Sequence, residues 1–293
     1  MLFQDTAAAG TSSAGAKWEG FTSSRDSAVR ATLDSHSSIE FSVPFTVSHA
    51  AAVLPLHRWS KHRLPLSALM IGSMAPDFGY FFSHEASRAL THSFSGLFIF
   101  AWPAGMLVWL FYVAVLEKAT ITLLSDRWHT RFAHTEALTV SLIVRASIAI
   151  LLGAVTHLLW DAFTHRATFV TDAFPVLLSP TPGMSWLPVY HLLHFLSSVA
   201  GLVVLAIWAR RLHRQPAKSL IRPYKISDRA RTGALSFLII GSLLAGLIDW
   251  WPYAYSHYDE QLFFAAVGTM SGFFIAWCCI AVGLWIHSRR IAR

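Results

Sequence analysis

An all-α, polytopic transmembrane bundle is the fold class this sequence predicts, with about five clear spans and two shorter membrane-embedded helices ahead of them. Three observations carry it. Of 293 residues, 54% are hydrophobic and 13% charged, about half the charged share of a soluble domain. The mean hydropathy is +0.48. The apolar residues gather into runs of about 20, enough for a helix to cover a hydrocarbon core of about 30 Å. An ordinary soluble enzyme and a disordered chain are thereby excluded. The formal net charge is +7, but the basic residues sit mostly between apolar runs. No nucleic-acid partner is therefore expected, and the first partner is the lipid bilayer. Nothing in the sequence sets an oligomeric state.

The elements follow in order. Residues 1–42 are rich in Ala, Ser, Thr and Gly, lack an apolar run and read as a disordered extension. They have no apolar core of signal-peptide length. Val43 reads as an alternative start, with residues 1–42 lying ahead of it as an untranslated or dispensable tail. Residues 43–293 form one integral membrane domain. Two short apolar segments, 45–56 and 64–82, come first; the first suits a short tilted, re-entrant or interfacial helix. Five spans follow at about 97–116, 141–164, 187–209, 234–255 and 262–287. Cys278 and Cys279 are adjacent within the last and read as inert apolar side chains.

Orientation follows from Lys and Arg. The connection 210–231 carries eight basic residues against Asp228, the C-terminal tail carries Arg289, Arg290 and Arg293, and 117–145 carries Lys118, Arg127, Arg131 and Arg145. These three regions are expected in the cytoplasm. Residues 83–96, 165–186 and 256–261 are expected outside. The expected location is a bacterial inner (cytoplasmic) membrane.

Ionisable groups inside or at the mouth of spans are costly and mark function. The sequence has 15 histidines. In HLLWDAFTH, residues His157, Asp161 and His165 repeat every four positions, which puts them near one helix face. Imidazole and carboxylate on one face suit Zn²⁺, Mn²⁺ or Fe²⁺. The competing reading is intrahelical hydrogen bonding or a solvated helix end. Asp77 follows Pro76 in an otherwise uncharged segment, and could instead cap a turn. His92 stands between Thr91 and Ser93, His84 lies eight residues earlier, and His49 lies on the first short helix. By the charge-derived topology, His49, Asp77, His92, Asp161 and His165 approach the same outer face, with His157 about two turns deeper. His191 and His194, at the start of a span, are candidate supporting groups. Asp249 could pair with a histidine such as His257, or line a polar cavity. The sequence has no Gly-rich phosphate loop, no G-x-S-x-G and no H-E-x-x-H.

The runs PFTVSHAAAVLPL, LPLSALMIGSMAPDFGYF, HSFSGLF and GAVTHLLWDAFTH, in that order, resemble a bacterial family of membrane proteins, domain-of-unknown-function family 4184. The resemblance is most specific from about residue 43 through 209, and that family carries no established activity. A looser similarity links the order of His49, Asp77, His92, His157 and Asp161 to inner-membrane metal-dependent hydrolases and zinc-dependent phospholipase-C-like proteins. The sequence departs from those at Arg88–Ala89–Leu90–Thr91, where they have His-Arg-Gly, and His84 is the candidate replacement. Those similarities imply a hydrolase.

The expectation is therefore an outward-facing His/Asp site for a divalent metal, zinc first and manganese or iron second. His49, Asp77, His92, His157 and Asp161 would be its ligands, with His165 and His84 at the rim. Asp77 and Asp161 are also the candidate catalytic groups. The substrate would be a lipid or lipid-linked phospho- or carboxyl-ester. The alternative is non-enzymatic: a metal or proton transporter, or a metal-stabilised scaffold.

Overall fold

The computed structural model describes residues 46–81, 88–124, 137–214, 223–256 and 258–291. Val43–Arg293 forms a compact unit. The expected tail and the junction at Val43 lie outside the described residues, as does His84.

Among the described residues, five helices are long and apolar enough to cross a membrane, consistent with an all-α polytopic bundle. Ahead of them lies a compact pair of short helical strokes. A 3-10 turn at Thr46–Ala51 is almost wholly buried and leads into α1 (Leu54–Trp59), which has Pro55 in its first turn. Lys61 and His62 adopt left-handed backbone at φ 52° and 62° and turn the chain. Pro65 then opens α2 (Leu66–Met74), which tightens into a 3-10 segment at Ala75–Phe81. Pro76 has no N–H to continue an α-helical ladder, so the change of pitch falls where the proline stands. Neither α1 nor α2 is long enough to cross a bilayer.

A short helix, α3 (Arg88–Thr91), precedes the first span, α4 (Phe94–Leu123), whose N-terminus is capped by Ser93. Two π-turn stretches, Leu97–Ala101 and Tyr112–Leu116, lie within it. The first of these precedes Pro103, which also lacks a donor. The helix outruns the expected limits of 97–116 at both ends. Its final turns contain Glu117, which is buried rather than solvated.

The second span, α5 (Val140–Thr164), starts at a Thr139 cap and buries Leu142, Ala146, Ala149, Ile150, Gly153, His157 and Asp161. That spacing of three and four is one face of an α-helix, so the core stripe and the polar pair are continuous. A short helix α6 (Phe169–Ala173) and a hairpin of β1 (Pro180–Thr181) with β2 (Met184–Pro188) follow. Because Trp186–Pro188 are spent on that strand, the third span, α7 (Val189–His213), begins two residues later than its apolar run. The last two spans are α8 (Asp228–Trp250) and α9 (Tyr258–Ile291).

The core sits where α2 is packed between α4 and α5, around Leu69, Trp109, Leu116, Leu142 and Ile150. Two glycines let α2 and α5 touch through their backbones. A Cβ on Gly153 would stand 2.4 Å from the Leu69 carbonyl oxygen, and one on Gly72 would stand 2.3 Å from that of Ile150. Close approach through small residues is how membrane helices gain packing that lipid cannot supply. Large apolar side chains such as Ile99, Leu107, Leu159 and Ile248 remain on the outside, as a lipid-facing surface requires.

Candidate metal centre

Four separate pieces of chain meet at one end of α2. The helix α5 contributes His157 and Asp161, one turn apart on its buried face. The 3-10 segment after α2 contributes Asp77. The first 3-10 turn contributes Thr46 and His49. The junction of α3 and α4 contributes Arg88, Thr91 and His92.

The two central imidazoles are oriented from behind. His157 Nδ1 donates to the Ser73 carbonyl at 2.8 Å, so its Nε2 faces the cluster. His92 Nδ1 pairs with the Thr91 hydroxyl at 2.9 Å, and its Nε2 faces the same space. The two Nε2 atoms stand 3.2 Å apart. Asp77 Oδ1 lies 3.2 Å from His92 Nε2 and 3.5 Å from His157 Nε2. Asp161 Oδ2 lies 3.5 Å from the first nitrogen and 3.6 Å from the second. Bonds of about 2.0–2.1 Å to one tetrahedral zinc ion put neighbouring ligand atoms about 3.3 Å apart. The spacing here is that of donors sharing a coordination sphere.

His49 completes a second, overlapping set. Its ring stacks on His157 at 4.0 Å and meets the edge of Trp160 at 5.4 Å. Its Nε2 is 3.6 Å from Asp161 Oδ1, while its Nδ1 is buried without a hydrogen-bond partner. The nitrogen that meets Asp161 is thus Nε2, and it is the one this ring can offer to a shared ion. Two groups, His49 with His157 and Asp161, and Asp77 with His92 and His157, each place ligand atoms within 4.8 Å of one another.

Electrostatics point the same way. Asp77 and Asp161 are 6% and 5% exposed, and buried carboxylates require countercharge. Arg88 supplies one cation, donating from Nη2 to Asp161 Oδ2 at 2.7 Å. Thr46 donates its hydroxyl to Asp77 Oδ2 at 2.7 Å. Burial, and then the Arg88 guanidinium, lower the pKa of His92 below its ordinary value. Neutral imidazole is the form that ligates.

The expected ligands His49, Asp77, His92, His157 and Asp161 are thus brought together. His165 is not at a rim: it is buried, with Nδ1 3.5 Å from Asp161 Oδ2. It is driven inward because Thr168 bonds back to the Ala162 carbonyl and folds the chain over the end of α5. His194 packs its ring edge on His165 at 5.1 Å, and His191 lies one step farther out, stacked on Tyr190 and Phe195. Asp249 faces α9 at Gly268, within the α8–α9 contact; its suggested partner His257 lies outside the described residues.

Sequence reasoning passed over Arg88, Thr46 and the Ser73 carbonyl as parts of the cluster. Thr91 and Thr46 had a local signal, a hydroxyl beside or near a candidate ligand. Arg88 had none, since its partner is 73 residues away. The carbonyl of Ser73 has no side-chain signature at all.

No curated protein and no solved structure matches the chain. One family model does, over residues 43–284, described as a domain of unknown function. The match takes in every segment that builds the cluster, and by it the chain belongs to domain-of-unknown-function family 4184.

Proposed function

We propose that this protein is a membrane-embedded, metal-dependent hydrolase of esters, with its His/Asp cluster as the metal site. The observation that carries the reading is the convergence of His92 Nε2, His157 Nε2 and Asp77 Oδ1 at mutual distances of 3.2–3.5 Å, with both Nδ1 atoms engaged behind them. Mixed nitrogen and oxygen donors favour zinc, with manganese or iron next. A bound divalent ion supplies a water of lowered pKa and polarises the ester oxygen. The chain supplies the rest. His92, His157 and Asp77 hold the ion. Thr46 fixes the orientation of Asp77. Asp161, whose Oδ1 is on the His49 side, is placed to take a proton from water within hydrogen-bond reach.

For the location we propose a bacterial cytoplasmic membrane, and the Lys and Arg distribution supports an orientation with the C-terminus inside and the cluster facing out. Arg210 and Arg211 end α7, and Arg289 and Arg290 end α9, at the termini away from the cluster. A site at that level of a bilayer suits a lipid or lipid-linked ester.

The test is metal content and hydrolysis on detergent-purified protein. Wild type should hold one ion per chain, His157→Ala none. Chelation should abolish cleavage of p-nitrophenyl phosphate or butyrate, and zinc should restore it. Metal binding that raises thermal stability without cleaving any ester would replace the hydrolase by a metal-stabilised scaffold. Metal uptake into proteoliposomes would replace it by a transporter. In intact cells, on a Cys278→Ser, Cys279→Ser background, an impermeant thiol reagent should label Ser179→Cys and spare Ser288→Cys.

A further inference from the structure

The connection between α5 and α7 spans no bilayer, yet it is a folded piece of chain with an apolar exposed side. Thr168 donates its hydroxyl to the Ala162 carbonyl at 2.7 Å and forms a capping box with Thr171 at the start of α6. β1 pairs with β2, and the Val189 amide donates to the Ser179 carbonyl at 3.0 Å, which fixes the hairpin to the first turn of α7. Val170, Thr171 and Leu187 are buried on its inner side. Phe169, Phe174, Val176, Leu178, Met184 and Trp186 are exposed, Phe169 and Trp186 each by 70%. Single apolar side chains on a surface need no explanation. These six fall within one short run and on ordered elements. Phe169 and Ala173 share a face of α6 that is not the face of Val170 and Thr171. Met184 and Trp186 point to one side of β2 and Ser185 to the other.

The surroundings say what covers this side. The chain leaves α5 at Thr164 and enters α7 at Val189, so the connection begins and ends at one surface of the bilayer. The bond from Thr168 to Ala162 turns it back over the end of α5 rather than away from it. Leu159 and Phe163 carry the lipid-facing surface of α5 up to that turn, and Phe169 continues it. Residues 166–188 hold one basic and one acidic side chain, Arg166 and Asp172. Charge therefore gives a partner little to recognise, whereas Phe and Trp suit the boundary between headgroups and acyl chains.

We propose that 169–186 is a membrane-interfacial platform. Phe169, Phe174, Val176 and Trp186 seat in the phospholipid leaflet on the cluster's side of the bilayer, held by apolar area rather than by headgroup charge, and Ser185 stays in water. The inference is independent of the hydrolase reading.

Nitroxide labels test it on the full chain in phosphatidylcholine vesicles, one at a time on a Cys278→Ser, Cys279→Ser background. The sites are Phe174→Cys, Val176→Cys and Ser185→Cys, with Leu159→Cys as the lipid reference. Oxygen dissolves among acyl chains and a nickel chelate stays in water, so their collision rates report depth. Labels at Phe174 and Val176 should lie about 5–10 Å into the headgroup–acyl boundary, shallower than Leu159, and the label at Ser185 should meet chiefly the nickel chelate. Nickel collision at Phe174 and Val176 equal to that at Ser185 overturns the proposal, because the platform then stands in water. Labels closed to both reagents, and opened when the labelled chain is diluted with lipid, overturn it in favour of a second copy of the chain. A second measurement needs no label. The emission lost in Trp186→Phe should be quenched by lipid brominated high in its acyl chains and shielded from aqueous iodide. Quenching by iodide with none by the brominated lipid overturns the proposal on its own.

Discussion

Two groups of neighbouring histidines lie at opposite ends of α2, and they are built on different principles. At its N-terminal end, His57 Nδ1 donates to the Leu64 carbonyl at 2.9 Å, and His57 Nε2 faces His62 Nδ1 at 2.9 Å. A single proton satisfies that pair. His62 is exposed, and no acidic side chain among the described residues joins it. At the C-terminal end, His92 and His157 face one another across 3.2 Å, but two buried carboxylates stand beside them. Arg88 answers one of those carboxylates, and the other calls for a further positive charge, a protonated ring or a bound cation. Paired imidazoles alone do not make a candidate metal site. Carboxylates taken out of water create the demand for a cation, and groups behind the rings fix which nitrogen answers it.

The largest effect is expected on removing histidines from each group in turn. His157→Ala should lower metal affinity more than about 100-fold, since it removes a donor common to both ligand sets. His57→Ala with His62→Ala should leave metal content unchanged. Elemental analysis of the purified variants decides it, and equal losses would erase the distinction.

Next comes the scaffold behind the ring. Gly153→Ala forces a Cβ to 2.4 Å from the Leu69 carbonyl oxygen and 2.6 Å from the Ser73 nitrogen. It should cost about 1–3 kcal/mol and displace the Ser73 carbonyl from His157. Gly283→Ala meets nothing within 4 Å and should change thermal stability by less than about 0.5 kcal/mol. Detergent-phase melting curves with and without zinc would show a difference at Gly153 alone.

A smaller effect is expected one hydrogen bond away from the ligands. Thr91→Val removes the hydroxyl partner of His92 Nδ1. Metal affinity should fall by about tenfold with the fold intact, as read by competition against a zinc-chelating dye. No change would mean that Thr91 does not set the orientation of His92.

The smallest effect belongs to the other pair. Burial lowers the pKa of His57 below 6.5, outweighing the Leu64 carbonyl, which raises it. A depressed histidine is neutral when packed, so the turn is fully stable above the unfolded value of about 6.5. Stability is lost as pH falls through the lowered folded value, because the opened turn takes the proton more readily. Amide exchange at Ser60–Leu64, corrected for its intrinsic pH dependence, should rise slightly over that window. His57→Gln should flatten it.

The sequence by itself determined the membrane class, the approximate spans and five of the cluster's side chains. Those properties are local: apolar run length, the repeat of four between His157 and Asp161, and the oddity of an acid at Asp77 in an uncharged segment. It marked 45–56 and 64–82 as two shorter helices, but not that α2 would be packed between α4 and α5, because apolar content alone does not say what a helix is packed against. Nor did it show that His165 would be buried, since that depends on Thr168 folding back over α5. Above all, tertiary structure decided the partners. The Ser73 carbonyl, the Thr46 hydroxyl and the Arg88 guanidinium come from segments 84, 31 and 73 residues from the groups they touch. No periodicity links positions that far apart; only the backbone contact of α2 with α5, permitted by Gly72 and Gly153, brings the four segments to one point.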